Sequence, residues 1–171
     1  MKLVSYIKDG HEQLALLVND YLYDTDVVHP ELPSSMGMFL NYWDDNFAIA
    51  QQVNNAILDG RLTRQNAIPL LGIDLLAPVP FPPSCRDGYA FRQHVEAARR
   101  NRGVPMIPEF DQYPIFYFTN HHSVQGQGPV ICMPDHFEKL DYELEVAIVI
   151  SKYGRNIRAE EADDYIAGLL I

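Results

Sequence analysis

The chain has 171 residues, and its 13 lysine and arginine residues against 23 aspartate and glutamate residues give a formal net charge of −10 with histidine neutral. This balance excludes functions that depend on neutralising phosphate groups, because sequence-independent binding to nucleic acid or anionic lipid needs a basic surface. Hydrophobic residues make up 47% of the chain, which is typical of a globular protein and excludes disorder along its whole length. We therefore expect neither nucleic acid nor a membrane as a partner.

The cysteines and the apolar stretches indicate the cellular compartment of the protein and whether the chain is part of a longer one. Cys85 and Cys132 form no C-x-x-C pair, a usage that favours a reduced, cytoplasmic protein. The longest apolar stretches, at 146–150 and 166–171, are much shorter than the roughly 18 residues that a membrane helix needs. The second of these stretches is typical of a buried strand and ends the sequence without a turn signal or a charged tail. We expect the chain to be the first part of a longer protein.

Short β-forming runs separated by turn pairs open the chain. The pairs Asp-Gly at 9–10 and Asn-Asp at 19–20 lie between apolar and aromatic runs, a pattern that predicts hairpins and therefore a β-meander over residues 1–25. Helical spacing then predicts a helix capped by Asp44 or Asp45 and closed by Gly60. The apolar face of this helix consists of Phe47, Ala50, Val53 and Ile57.

A proline-rich stretch separates two compositional halves. Five prolines fall between residues 69 and 83, and residues 77–83 must run extended because proline restricts its own φ and the residue before it. We place a domain boundary near residue 75. The alternative is an edge segment that packs on the second domain.

The second half of the chain contains further predicted elements. A helix is predicted after Asp87, with Phe91, Val95 and Ala98 on its apolar face and Gly103 at its end. Short strands are predicted at 115–119, 130–133 and 166–171, a longer strand at 140–150, and a short helix at 159–165.

Acidic side chains alternate along the predicted strand at 140–150. Alternate side chains of a strand share a face, so Asp141, Glu143 and Glu145 lie on one side, with the Cα atoms of the two glutamates roughly 6.5–7 Å apart. Like charges on one face repel each other, and a bound hard cation removes this repulsion. The alternative is a solvated face with lysine or arginine neighbours across the sheet.

Asp87 and His94 are the next candidates. Asp87 can act as an N-cap, because an aspartate side chain accepts hydrogen bonds from the amides of a first helical turn. If this helix end lies beside the two glutamates, a third carboxylate completes an all-oxygen site that suits Mg²⁺, Ca²⁺ or Mn²⁺ rather than Zn²⁺. His94 lies two helical turns further on, where it can be a general base or a surface side chain. Arginines at 92–102 can bind a carboxylate substrate.

Four segments together resemble a known family. They are 86–94 (RDGYAFRQH), 102–103 (RG), Tyr117 with 123–124, and 140–145 (LDYELE). In order and character they resemble the fumarylacetoacetate hydrolase family over nearly the whole chain, and residues 1–40 resemble that family's small N-terminal domain. The combination of D-x-Y-x-x-x-x-H with E-x-E is the most specific part of the resemblance.

The resemblance implies an architecture that is mainly β with short helices, in the α+β class. Residues 1–75 are expected to form a small SH3-like β-barrel domain. Residues 76–171 are expected to form the first part of a catalytic domain of the mixed β-sandwich or roll type, and this domain is expected to be truncated. The resemblance further implies a homodimer formed through this second domain.

The resemblance also implies a set of site residues and a cofactor. The cofactor is Mg²⁺ or Ca²⁺, with Mn²⁺ as a further option, and the implied ligands are Asp87, Glu143 and Glu145. His94 is implied as the base that activates water. The implied substrate-binding residues are Tyr89, Arg102 and Tyr117. In the family, a fourth metal carboxylate and an oxyanion-stabilising arginine follow the position that corresponds to Ile171, so the resemblance implies that this chain by itself lacks part of the active site.

The implied reaction is hydrolysis of a carbon–carbon bond in a β-diketo acid, such as fumarylacetoacetate or an acylpyruvate, in the breakdown of tyrosine and other aromatic compounds. A 1,3-diketone chelates a hard cation through two oxygens, and the cation polarises the carbonyl that is attacked. Two alternatives stay open. One is a catalytically incomplete fragment that serves as a structural or interaction module, and the other is a related enzyme that decarboxylates oxaloacetate or isomerises or hydrates a keto acid.

Overall fold

A computed structural model describes the backbone of residues 1–171 and the side chains of residues 1–136 and 138–171. The structure is mixed α+β with small sheets and short helices. The strands are β1 (Leu3–Lys8), β2 (His11–Val18), β3 (Tyr21–Asp24), β4 (Ile68–Pro69), β5 (Arg86–Gly88), β6 (Phe116–Phe118), β7 (Ala147–Ile150) and β8 (Ile166–Leu170). The α-helices are α1 (Thr25–Val28), α2 (Met36–Asn41), α3 (Trp43–Leu58) and α4 (Arg92–Asn101). Among the described residues, no helix combines the length and apolar character needed to cross a bilayer.

The chain folds into two compact units. The first unit consists of Met1–Pro80 and Gln125–Ile171, and the second consists of Phe81–Val124. The division into domains over 1–75 and 76–171 stays a prediction.

The predicted β-meander is present in the first unit. Strands β1, β2 and β3 pair in antiparallel order through two tight turns. The turn residues have positive φ: 52° at Asp9, 81° at Gly10, 50° at Asn19 and 62° at Asp20. Hairpin turns with this twist need the left-handed conformation at both central residues, and Asp, Asn and Gly adopt it with the least strain. The two pairs could therefore be recognised as turns from their residue types alone.

The central strand β2 is buried on both faces. Leu14 and Leu16 belong to a larger apolar cluster, while Ala15 between them belongs to a smaller cluster with Tyr6 and Leu22. All three β2 side chains are fully buried. Other buried members of the larger cluster are Leu32, Met36, Phe39 and, from α3, Ala50, Val53 and Ile57. Burial of each leucine contributes about 1.5–3 kcal/mol, so this strand is the centre of the first unit's core.

Helix α3 confirms the predicted helix but not its predicted cap. The helix begins at Trp43, and Gly60 follows its end with a φ of 72°. Tyr42 occupies the N-cap position, and Asp44 and Asp45 lie in the first turn. The assignment of an aspartate cap was therefore wrong. Carboxylates in a first turn still interact favourably with the helix dipole, which explains why acidic residues mark this helix start.

The first sheet has the strand order β1-β2-β3-β4. After β4 the chain returns to β1, where Tyr6 and Leu75 form an isolated antiparallel bridge and the Leu76 amide donates to the Ser5 carbonyl at 2.8 Å. Within the described part of the chain these links do not close the sheet into a barrel. The expected SH3-like barrel and the β-sandwich are therefore not confirmed.

The strand predicted at 140–150 is present only as β7, which pairs with β8. In the described backbone, residues 140–146 and 130–133 form no strand, and the stretch predicted as a helix forms a 3₁₀ helix at Ala159–Tyr165. The prediction of a strand at 130–133 and over 140–146 was therefore wrong. Alternating apolar residues show which segments can pair, but a strand forms only where a second strand satisfies its backbone groups.

Three polar side chains form a network in the first unit, of which Tyr6 and Asp24 are buried. The Tyr6 hydroxyl donates to Asp24 Oδ1 at 2.7 Å, and the Lys8 ammonium donates to Asp24 Oδ2 at 2.5 Å. The Asp24 side chain is only 2% exposed, whereas that of Lys8 is 40% exposed. Burial and the hydrogen bond to Asp24 raise the pKa of Tyr6 above its usual range, and the same carboxylate raises the pKa of Lys8.

These shifts predict that the free energy of unfolding falls in alkaline solution. Both groups hold their protons more tightly in the folded state, so their stabilisation is complete below an unfolded pKa of about 10 and is lost as pH rises further. Tyr6→Phe removes one donor to a buried carboxylate, and we expect it to cost about 1–3 kcal/mol near neutral pH and to flatten the alkaline decline. Urea unfolding at a series of pH values measures both effects.

Tyr42→Phe is the matched control for this substitution, because Tyr42 is 63% exposed. We expect the control to leave both the stability and its alkaline decline unchanged. An alkaline decline of the same steepness in Tyr6→Phe and in the wild type would contradict the assignment to Tyr6.

Candidate functional site

Asp87 lies on a short strand and not at a helix end. Strand β5 pairs antiparallel with β6, and Asp87 stands opposite Tyr117. Helix α4 begins at Arg92 with Phe91 in the N-cap position. The prediction of Asp87 as N-cap was therefore wrong, because a side chain five residues before the first helical residue is too distant to reach the amides of the first turn. The prediction that His94 follows Asp87 by two helical turns fails for the same reason.

The strand pairing joins two of the predicted site residues directly. The Tyr117 hydroxyl donates a hydrogen bond to Oδ2 of Asp87 at 2.6 Å. The two residues are cross-strand partners, so the backbone pairing itself places their side chains within reach of each other. Asp87 is half-buried and Tyr117 is exposed.

Tyr89 joins two further predicted residues. Its backbone amide donates to the carbonyl of Ile115 at 3.0 Å, which continues the pairing beyond β5. Its hydroxyl accepts a hydrogen bond from Nη2 of Arg102 at 3.2 Å. Its ring also meets the imidazole of His94 edge to face, with 5.6 Å between the ring centroids. We call Tyr89, His94 and Arg102 the polar cluster.

Helix α4 positions the polar cluster's histidine. Val95, the residue after His94, is 1% exposed, whereas Phe91 is 80% exposed and precedes the helix. The predicted apolar face is therefore right at Val95 and wrong at Phe91. The helix ends before Gly103, whose φ of 70° and amide bond to the Arg100 carbonyl close the last turn.

An ion pair at the start of α4 was missed from the sequence. Arg92 bonds to the carboxylate of Asp111 and pairs with Glu96 one turn along the helix at 3.0 Å. The Asp111 carboxylate raises the pKa of Arg92 above its usual range. Arg92 and Asp111 are nineteen positions apart in the sequence, so no local pattern points to their contact.

Glu143 and Glu145 belong to the first unit, whereas Asp87 belongs to the second. Both glutamates are exposed and lie in the stretch that forms no strand, so the shared strand face predicted for them and Asp141 is not confirmed. That these two side chains and Asp87 bind one ion stays a prediction. Their donor chemistry fits a hard divalent cation, because three carboxylates supply only oxygen ligands.

The chain is similar to a known protein family and to several curated proteins. Residues 84–171 match the profile of the fumarylacetoacetate (FAA) hydrolase C-terminal domain. The chain is 27% identical over 177 residues to the mitochondrial oxaloacetate tautomerase Fahd2a of Rattus norvegicus, covering 100% of the chain and 51% of the relative. It is 24% identical to the fumarylacetoacetate hydrolase domain-containing protein 2 homolog of Dictyostelium discoideum, covering 100% of the chain and 53% of the relative.

A third relative has the same type of name. The chain is 29% identical over 152 residues to the mitochondrial oxaloacetate tautomerase fahd2 of Xenopus laevis, covering 88% of the chain and 43% of the relative. The chain thus spans about half the length of the curated relatives it matches.

The burial of Val95 predicts that α4 depends on this one apolar side chain. Val95→Ala removes two buried methyl groups and should destabilise the second unit by about 1–3 kcal/mol. Phe91→Ala is the matched control, because its ring is already exposed, and it should change the stability by less than about 0.5 kcal/mol. Amide hydrogen exchange along α4 measures the stability of the helix in both variants. Equal protection in the two variants would contradict this role of Val95.

Proposed function

The chain belongs to the fumarylacetoacetate hydrolase family, and from this premise we propose that it acts in a metal-dependent enzyme that interconverts the keto and enol forms of oxaloacetate or a closely related 2-oxo diacid. Members of the family are enzymes. The observation that carries the proposal is the polar cluster. It combines a guanidinium group that can bind a carboxylate, an imidazole that can transfer a proton, and a phenol that contacts both groups. The names of the rat and Xenopus relatives support the choice of reaction.

Arg102 is the proposed anchor for a substrate carboxylate. A guanidinium group offers donors in a planar fork that matches the two oxygens of a carboxylate. Tyr89 accepts one hydrogen bond from Nη2 and so orients the fork. Because the Tyr89 hydroxyl is the acceptor in this contact, its own hydrogen stays available for a substrate oxygen.

His94 is the proposed proton carrier. In the keto form of oxaloacetate a methylene group lies between a ketone and a carboxylate, and tautomerisation moves one proton from this carbon to the ketone oxygen. An imidazole can accept the proton at the carbon and return it to the oxygen, so the reaction balances without a second reactant. The edge contact with Tyr89 orients the ring beside the residues that bind the substrate.

Asp87, Glu143 and Glu145 are the proposed metal ligands. Proteins of the family generally bind divalent metals, and the three carboxylates suit Mg²⁺, Ca²⁺ or Mn²⁺. When bound, such an ion would polarise the substrate's oxygens and acidify the carbon between them. The protein's own contribution is to supply the negative charges that hold the ion and the dipoles that orient the substrate.

Hydrolysis of a carbon–carbon bond in a β-diketo acid is the second candidate function. The match of residues 84–171 to the fumarylacetoacetate hydrolase profile favours it. In that reaction His94 would take a proton from water, and the hydroxyl oxygen would bond to the carbonyl carbon while the bond to the neighbouring carbon breaks. The electron pair of that bond would stay on the neighbouring carbon as an enolate, which would take up the proton held by His94. A role in tyrosine breakdown belongs to this candidate. Decarboxylation of oxaloacetate and a purely structural role stay as further alternatives.

Assembly, finer architecture and location are also proposed here. We propose a homodimer, because the resemblance implies one, and an SH3-like barrel followed by a β-sandwich or roll as the arrangement of the whole protein. A cytoplasmic location rests on the cysteine usage alone. The rat and Xenopus relatives are named as mitochondrial proteins, so a mitochondrial location is the alternative.

The proposed reaction predicts that His94→Ala lowers the rate without weakening the binding of the ion. We expect kcat for oxaloacetate tautomerisation, followed by the ultraviolet absorbance of the enol in the presence of Mg²⁺, to fall by about 10²–10⁴-fold. Gln93→Ala, at the exposed neighbouring position of α4, is the control and should keep the wild-type rate.

Two outcomes would contradict the proposal. If wild-type protein with Mg²⁺ leaves the oxaloacetate enol to decay at the rate of buffer but releases pyruvate from an acylpyruvate, the second candidate function replaces the first. If His94→Ala keeps the full rate, the assignment of the proton carrier is wrong.

A further inference from the structure

Tyr117 contacts a proposed metal ligand, and this contact gives it a role different from the one that the resemblance implies. We propose that Tyr117 is a positioning residue for Asp87, with its hydroxyl holding one carboxylate oxygen so that the other is presented to the cation. This inference rests on the proposed function, since it requires an ion at Asp87. It replaces the expected role of Tyr117 as a direct ligand of the substrate.

The pairing of β5 with β6 fixes the backbone of both residues in this contact. Asp87 and Tyr117 are opposite residues in the β5–β6 pair, with the neighbouring pairs Arg86 with Phe118 and Gly88 with Phe116 in the same register. The oxygen–oxygen distance of 2.6 Å lies in the range of about 2.5–2.7 Å that is typical of a hydroxyl donating to a carboxylate. The contact is therefore a strong hydrogen bond between two side chains whose Cα atoms the strand pair fixes.

The neighbours of Tyr117 on β6 stabilise its orientation. Phe116 and Phe118 are on the opposite side of the strand from Tyr117, because side chains alternate along a strand. Their rings meet edge to face at 5.7 Å, and the guanidinium of Arg86 lies over the Phe118 ring at 4.6 Å. These contacts occupy one side of β6 and leave the tyrosine on the side of Asp87.

Hydrogen-bond counting separates the roles of the two tyrosines. A phenol has a single hydrogen to donate. Tyr117 donates its hydrogen to Asp87, so it has none left for a substrate carboxylate, which can only accept. Tyr89 accepts from Arg102 and keeps its hydrogen. Tyr89 is therefore the substrate-facing phenol, and Tyr117 acts on the metal ligand.

The hydrogen bond also limits how Asp87 can bind a cation. The tyrosine engages one lone pair of Oδ2, so Oδ1 is the oxygen better placed to bind the ion. Removal of the hydroxyl allows the carboxylate to rotate and adds the free energy of reorienting it to the cost of binding. Loss of an outer partner of a metal ligand typically weakens metal binding by about 10–100-fold, and we expect about tenfold here because Tyr117 is exposed.

A titration of the full chain with Mn²⁺ tests this inference. Electron paramagnetic resonance measures the free ion and therefore the Kd without any dependence on activity. We expect Tyr117→Phe to raise the Kd for Mn²⁺ about tenfold and Asp87→Asn to raise it at least as much. Tyr113→Phe, which removes an exposed hydroxyl in the same unit, is the matched control and should keep the wild-type Kd.

A second variant separates positioning from a merely structural effect. Replacement of Tyr117 by 4-aminophenylalanine restores a hydrogen-bond donor at the same place in the ring and should recover most of the lost Mn²⁺ affinity. Amide exchange at Gly88 and Phe116 checks that β5 and β6 stay paired in every variant. If the strand pair opens in the phenylalanine variant, the comparison is made between 4-aminophenylalanine and wild type, which should then bind Mn²⁺ alike.

The outcomes distinguish this inference from the proposed function. Equal Kd values for wild type and Tyr117→Phe, together with weaker binding by Asp87→Asn, would overturn the positioning role and leave the metal site intact. Failure of 4-aminophenylalanine to recover affinity would also overturn it. A wild-type affinity that Asp87→Asn does not change would overturn the metal site, the proposed function and this inference together.

Discussion

The antiparallel pairing of β5 with β6 is the constraint on which the second unit's site depends. It places Asp87 opposite Tyr117 and continues to Tyr89, two residues further along the same side of the chain. Tyr89 in turn contacts His94, in the first half of α4, and Arg102, which directly follows this helix. A short ladder of backbone hydrogen bonds thus joins Asp87 to Tyr117, thirty positions away in the sequence, and continues to the tyrosine that contacts His94 and Arg102.

The two units rely on burial to different degrees. In the first unit the fully buried β2 side chains and the network around Asp24 lie in the core. In the second unit Val95 is the one residue of α4 that is buried, and the polar cluster and Tyr117 are half-buried or exposed. Exposed polar groups can reach a substrate or an ion without first losing a partner in the core, and they depend on strand register for their positions.

The roles proposed for the polar cluster are compatible with more than one reaction. Binding of a carboxylate by Arg102 and proton transfer by His94 suit both tautomerisation of a keto acid and hydrolysis of a β-diketo acid. What distinguishes the two is whether the imidazole acts on a carbon-bound proton or on water, and therefore how the substrate is oriented. Family membership is compatible with either reaction, and the residues that contact the substrate select between them.

The sequence by itself determined the features that depend on neighbouring residues. The turns at 9–10 and 19–20, the helix α3 and the identities of the candidate site residues follow from residue type and local spacing, because glycine, aspartate and asparagine tolerate positive φ and helical faces repeat every three to four residues. Only the tertiary structure decided that Asp87 lies on a strand, that 140–146 forms none, and that Tyr117 donates to Asp87. Each of these depends on which distant segment satisfies a backbone or side-chain hydrogen bond, and that choice is made by the folded chain as a whole.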